Sequence, residues 1–207
     1  IRIDQPNILL KVNSLGEANW DIGMPADVEE EAVAPVKEDT TAPFSLILKK
    51  LTIENGKLVY DDRPGKTYIS LIGLNHRLSG DLSAETTRLK TRTTVSSTLL
   101  EYESIPYLRD VALAFDAVIA ADLKNDIYTF NRNALKLNDL VLNFDGSVGM
   151  AGDDLNMMLT FGTQRNDFKS FISLIPELYQ KDFSDIETDG NLQIDGYVKG
   201  LLTDVLI

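Results

Sequence analysis

The feature that most constrains this chain is a period of two in its apolar residues. Ile72, Leu74, His76, Leu78, Gly80 and Leu82 fall in one phase, with the polar residues Asn75, Arg77, Ser79 and Asp81 in the other. Leu113, Phe115, Ala117, Ile119, Ala121 and Leu123 form a second such run, and Leu140, Leu142, Phe144, Gly146, Val148 and Met150 a third. Shorter runs follow at Leu155, Met157, Leu159 and Phe161, and at Leu192, Ile194, Gly196 and Val198. Side chains of a strand alternate between faces, so each run makes a strand with one apolar and one wetted side. Several runs exceed the usual strand of about 5–6 residues. The pattern predicts a mainly β fold: a large, curved antiparallel meander sheet, groove-like or taco-like. Its apolar face must curl over, pair with itself or hold something. The stretch 87–100 is rich in Thr and Ser, and its pattern does not say which side is buried.

Breaks in the period organise the chain. Ile1 and Ile3 alternate, Pro6-Asn7 interrupts, and Ile8-Leu9-Leu10-Lys11-Val12 resumes before a turn over 13–16. From 24 to 43 no period survives: Pro25, Pro35 and Pro43 bracket the acidic residues Asp27, Glu29, Glu30 and Glu31. This composition predicts a disordered, solvated linker over 24–44 inside one domain, with strands in 1–23 and the main sheet in 45–207. Asn55-Gly56 carries the residues a two-residue hairpin demands, between Leu51/Ile53 and Leu58/Tyr60. One segment changes period: Phe168, Phe171, Ile172, Ile175, Leu178 and Tyr179 recur at helical spacing, with Asn166 or Asp167 placed to cap. It predicts one amphipathic helix over 167–181, kinked by Pro176, plugging one end of the apolar face. Its only basic residues, Lys169 and Lys181, suit a lipid-surface helix poorly.

Charge and composition exclude several function classes. With 32 acidic against 20 basic residues and a net charge of −12, the chain is unsuited to nucleic acid, whose phosphates need clustered Lys and Arg. The overall charge also opposes docking on an anionic lipid surface. There are no cysteines, hence no disulfides and no thiolate chemistry. The chain opens within a strand and without Met, so it reads as a piece of a longer protein.

No catalytic, cofactor-binding or metal-binding constellation emerges. Gly146-Ser147-Val148-Gly149-Met150-Ala151-Gly152 has neither a nucleophile elbow nor the Gly-Lys-Ser/Thr end of a phosphate loop, so its glycines read as bulge or close-packing positions. His76 is the single histidine and lies in phase with an apolar face, which favours a hydrogen-bonded structural role over a catalytic base. Asp61-Asp62 and Asp153-Asp154 are neighbours on the chain, so in extended backbone their carboxylates diverge.

Taken in order, the motifs resemble the AsmA family of bacterial envelope proteins. The resemblance rests on Pro6-Asn7-Ile8-Leu9-Leu10-Lys11-Val12 followed by Gly16-Glu17-Ala18-Asn19-Trp20-Asp21-Ile22. It continues in Leu51-Thr52-Ile53-Glu54-Asn55-Gly56-Lys57-Leu58-Val59-Tyr60-Asp61-Asp62 and in Asn138-Asp139-Leu140-Val141-Leu142-Asn143-Phe144-Asp145-Gly146. The segment containing Ser173-Leu174-Ile175-Pro176 and the closing Thr188-Asp189-Gly190-Asn191-Leu192-Gln193-Ile194-Asp195-Gly196-Tyr197-Val198-Lys199-Gly200 complete it. The flavour is similar to the Bacteroidetes-type members. The resemblance implies a periplasmic β structure with an apolar inner groove, tied to the inner membrane by an N-terminal segment outside this sequence. It further implies a role in outer-membrane assembly and phospholipid transport, with no catalytic residues. Asn19, Trp20, Asp21, Gly56, Tyr60 and Asp61 would then be architectural. Nine or ten strands at about 4.8 Å extend less than ~50 Å, so the chain would be one module of a longer bridge.

Two functions follow as expectations. In the first, phospholipid acyl chains run along a groove lined by Leu113, Phe115, Leu140, Leu142, Phe144, Leu192 and Ile194. In the second, a dry, closed core makes the chain a scaffold that meets envelope proteins through β-edge contacts. A carbohydrate-active sandwich is a distant third, since a single tryptophan in the Asn19-Trp20-Asp21 turn cannot build an aromatic cleft.

Overall fold

The computed structural model describes residues 1–21, 49–81, 83–151, 154–163, 166–176 and 190–202. The linker expected over 24–44 lies outside them. Seven consecutive strands follow one another as neighbours: β3 (Lys50–Asp62), β4 (Thr67–Ser79), β5 (Thr86–Tyr102), β6 (Ile105–Asp122), β7 (Ile127–Leu137), β8 (Leu140–Ala151) and β9 (Asp154–Thr163). Every pair among them is antiparallel, as the meander requires. The last strand, β12 (Asp195–Leu202), adds antiparallel to β9. Between them lie a two-stranded ribbon, β10 (Asn166–Asp167) with β11 (Asn191–Leu192), and the helix α1 (Phe168–Ile172).

The sheet is mainly antiparallel, as expected, with a parallel margin where β1 (Arg2–Asp4) and β2 (Asn7–Val12) both run parallel to β3 along its outer edge. Gln5, at φ 49°, and Pro6 interrupt what would otherwise be one edge strand. Two expectations need correction. Asn55-Gly56 is not a hairpin turn: β3 runs straight through it as a bulge, Asn55 taking the left-handed conformation at φ 51°. The same Asn-Gly chemistry serves a turn or a bulge, and the partners on both sides of β3 decide which. The helix is shorter than expected. It ends at Ile172, with Ser173–Pro176 turning after it, and residues 177–181 lie outside the described part. Asp167 does cap it, its carboxylate accepting from the Lys169 N–H at 3.0 Å.

Gly73 explains a slip in phase. Its φ of 67° puts an extra residue into β4 opposite β3, so that Gly56 pairs Leu74 but Lys57 pairs Ile72. A one-residue shift moves every later side chain to the other face. Ile72, in phase by sequence, is therefore 50% exposed on the polar side, and Leu71 and Ile69 take its place on the apolar side. Register breaks recur across the sheet, between Val95 and Leu100 of β5, between Asp116 and Val118 of β6, and between Phe130 and Leu135 of β7. Such breaks bend strands and increase their twist.

Asparagine side chains occupy these breaks. A primary amide offers one donor group and one acceptor, as a peptide unit does, so it can replace a missing ladder bond. Asn75 accepts from the Asn55 N–H at 3.0 Å and donates to the Gly73 carbonyl at 3.1 Å. Asn133 accepts from the Phe144 N–H at 3.0 Å and donates to the Phe144 carbonyl. Asn138 accepts from the Ala112 N–H at 3.0 Å. On the outer edge of β2, Asn19 accepts from the Lys11 N–H at 2.8 Å and donates to the Leu9 carbonyl at 2.9 Å.

Asn133 is buried, so removing its amide strands two backbone groups of Phe144 in a dry setting. Asn133→Ala is expected to destabilise the fold by about 2–3 kcal/mol, the scale for unsatisfied buried polar groups. Urea unfolding followed by circular dichroism measures it, and exposed Asn131→Ala should change stability by less than about 0.5 kcal/mol.

Candidate functional site

Residues that pair across a ladder share a face, so the registers trace the apolar side strand by strand. One row runs His76–Thr93–Phe115–Leu135–Leu142–Thr163, and the next runs Val95–Leu113–Leu137–Leu140. Towards the other end lie Leu89, Ile119, Phe130, Gly146, Leu159 and Val198 in register. Phe144 faces Phe161, which in turn faces Gly196. From β4 to β9 no Asp, Glu, Lys or Arg is paired in register on this face. For six adjacent strands, about 24 Å across at 4.8 Å spacing, that is a wide uncharged surface.

The face is covered only in part. Val111 is the large side chain among the described residues that is withdrawn completely, and Val95, Leu89, Ala117, Ala121 and Leu140 are also buried. Leu113, Phe115, Leu135, Leu142, Phe144, Leu159 and Phe161 are only half-buried. The Phe115 and Phe144 rings stack at 5.8 Å with planes 6° apart, although β7 lies between their strands. Strands two apart are separated by about 10 Å, so the rings lean together as they do on the inside of a bend. Phe130 joins them at 5.2 Å in a tilted arrangement. These contacts make an aromatic floor of the kind that favours offset and edge packing.

Two elements cap the face at the end carrying the β3–β4 and β5–β6 turns. Trp20 packs on Tyr60 at 6.2 Å. The turn after α1 stands over the start of β6, where Leu174, Ile175 and Pro176 enclose a cavity of about 170 Å³ with Pro106, Tyr107 and Val111. The plug expected from the helical segment is thus the turn following it, within the described residues.

The sequence-predicted lining residues separate into two groups. Leu113 and Phe115 of β6, with Leu140, Leu142 and Phe144 of β8, converge on the same face. Ile194 joins them: its N–H donates to the Thr163 hydroxyl at 2.8 Å and its carbonyl accepts from the Thr163 N–H at 2.8 Å, in register with Leu142. Leu192 does not, because the chain leaves the main sheet there and Leu192 pairs with Asn166 in the small ribbon. Sequence reasoning missed Leu135, Leu137, Phe130 and Leu89. The bulges in β7 hide its alternation, and in β5 threonines occupy the apolar phase.

The ionisable groups behave structurally. His76 bonds Thr93 at 2.9 Å through Nδ1, and burial pushes its pKa down. Burial, then the nearby Asp62 carboxylate, raises the Tyr60 hydroxyl. Asp62 turns its other oxygen to the Gly65 N–H at 2.9 Å and so helps to close the β3–β4 turn. Among the described residues no group of His, Asp or Glu is arranged to hold a metal ion. No helix of the described residues is long and apolar enough to cross a membrane.

Comparison with protein-family models, with curated proteins and with solved structures finds no match for this chain.

Because His76 is harder to protonate folded than unfolded, its neutral form contributes stability that is complete above the unfolded value near 6.5 and is lost as pH falls through the lowered folded value. Urea unfolding at pH 7.5 and 5.5 should show the native chain losing stability relative to His76→Gln on acidification. An identical pH response of the two proteins would remove His76 from the account.

Proposed function

We propose that this chain is a non-enzymatic periplasmic module of an AsmA-like envelope protein, which shelters phospholipid acyl chains along its apolar sheet face and so supports outer-membrane biogenesis. The observation that carries the reading is the half-buried, uncharged face running across β4 to β9. Exposed apolar surface of such extent is costly in water, at roughly 25 cal/mol per Å². Acyl chains would cover it without demanding hydrogen bonds or charges, and the face supplies almost none. The bend at Phe115, Phe130 and Phe144 gives a floor, and the turn after α1 gives one end wall. Of the motifs behind the AsmA resemblance, Asn19 of Asn-Trp-Asp bonds the backbone of β2, and Asn-Gly lies in a bulge of β3. In this reading the protein needs no cofactor, and its inner-membrane anchor belongs to a segment outside the sequence.

A second reading, a protein-interaction scaffold, is favoured by the far edge of the sheet. β12 has no neighbour beyond it among the described residues, and it leaves Tyr197 77% and Leu201 54% exposed. Such an edge accepts another β segment by strand addition.

The test is lipid mass spectrometry on the chain purified without detergent. Stoichiometric phospholipid is expected to co-purify, and Phe115→Asp or Leu142→Asp should abolish it while circular dichroism and urea unfolding show a folded protein. A folded, lipid-free chain that also takes up no fluorescent phospholipid would overturn the acyl-chain reading in favour of the scaffold.

A further inference from the structure

The opposite, polar face of the sheet carries a charge distribution that the apolar face does not explain. The chain is strongly acidic, yet Lys50 of β3, Arg77 of β4 and Arg88, Lys90 and Arg92 of β5 all lie on this face near the β4–β5 turn. Arg77 pairs directly with Arg92, and Lys50 and Lys90 flank Ser79 from either side. Like charges directly opposite one another destabilise a ladder. A sheet that needed only solubility would place carboxylates in the partner positions.

Very little neutralises the group. Asp116 of β6 approaches Arg92 at 3.4 Å, both being largely exposed, and Glu54 is taken by Arg2 at 2.6 Å. Among the described residues no carboxylate is within salt-bridge distance of Lys50, Arg77, Arg88 or Lys90. A depression of about 400 Å³ is lined by Lys50, Arg77, Lys90 and Arg92, and also by Asp116. The Cα positions of the directly opposed arginines are roughly 5 Å apart, and those of the lysines, two strands apart, about 10 Å. Guanidinium forks on adjacent strands can engage a phosphate group bidentately, and the long, exposed lysine side chains can reach further oxygens of the same anion.

We infer that this face binds a small, soluble anion bearing more than one phosphate, held between Arg77 and Arg92 with Lys50 and Lys90 beside them towards the β4–β5 turn. A small anion is favoured over an anionic bilayer because the rest of the chain is acidic. Asp81, Glu85 and Asp122 stand at the same end of the sheet, and at physiological salt charges interact over about 8 Å. An extended negative surface would meet those carboxylates, whereas an ion within the depression would not. The site lies across the sheet from the proposed lipid face and does not depend on that reading.

Inorganic pyrophosphate titrated into the whole chain by calorimetry at low ionic strength tests the site. Saturable one-to-one binding that weakens with salt is expected. Arg77→Gln and Arg92→Gln should each reduce affinity about tenfold or more, the loss of one charge-assisted contact. Asp116→Asn, which frees Arg92, should raise affinity a few-fold, and Lys124→Gln, whose lysine instead faces Glu85 at 3.7 Å, should change nothing. The ligand-free melting temperature of Arg77→Gln should equal or exceed that of the native chain, because an opposed pair of like charges has been removed. Non-saturable binding, or equal losses in Lys124→Gln and Arg77→Gln, would overturn the site. So would a lowered melting temperature in Arg77→Gln with unchanged binding. Sedimentation with phosphatidic-acid vesicles in a chain that ignores pyrophosphate would also overturn it, replacing the small anion with a membrane surface.

Discussion

Everything in this structure depends on one mismatch: the backbone ladder makes a sheet whose apolar face is wider than its own elements can cover. Ladder hydrogen bonds fix the strands side by side, but they add modest net stability each. The larger driving force is removal of apolar surface from water, and a single layer can achieve that only by bending its face inward or by recruiting a cover. The chain does some of each. The phenylalanines of β6, β7 and β8 close on one another over the intervening strand, while Trp20 and the turn after α1 cover one end. What remains half-buried is the surface from which the proposed function follows.

Bending a long sheet breaks its ladder, and each break exposes peptide groups. Here the breaks are filled by asparagines, whose amides act as detached pieces of backbone. Asn75 spans the double bulge of β3 and β4, Asn133 stands in for a β7 peptide beside Phe144, and Asn138 locks the β7–β8 turn onto β6. Asn19 treats the outer edge of β2 in the same way, occupying its peptide groups at Leu9 and Lys11. Gly146, at φ 128°, belongs to the same adaptation: a side chain there would collide with the Met158 carbonyl of β9.

The two faces of the sheet therefore divide their work by chemistry. One is nearly free of charge and shaped by aromatic packing. The other gathers opposed cations on three neighbouring strands of an acidic protein, an arrangement that costs stability on its own. Sheet pleating allows this separation, since adjacent residues point to opposite sides and need not compromise.

Much of this was legible in the sequence, because period two is a local property. The runs in β6, β8 and β9 announced their strands and their apolar side, on which Leu113, Phe115, Leu140, Leu142 and Phe144 share a face. Ile194 followed from the same alternation. Asp167 announced a helix start because capping is local too. What the sequence by itself could not determine was anything set by a partner strand. Asn55-Gly56 became a bulge because β2 and β4 hold β3 on both sides, and Gly73 moved Ile72 to the wet face because register belongs to a pair. Leu192 left the sheet although its alternation was sound, since β10 offered it a different neighbour. Arg77 and Arg92 are distant in sequence, and only the β4–β5 register sets them face to face. Alternation is encoded residue by residue, whereas register and curvature are settled by the free energy of the whole ladder, and that sum exists only in the folded sheet.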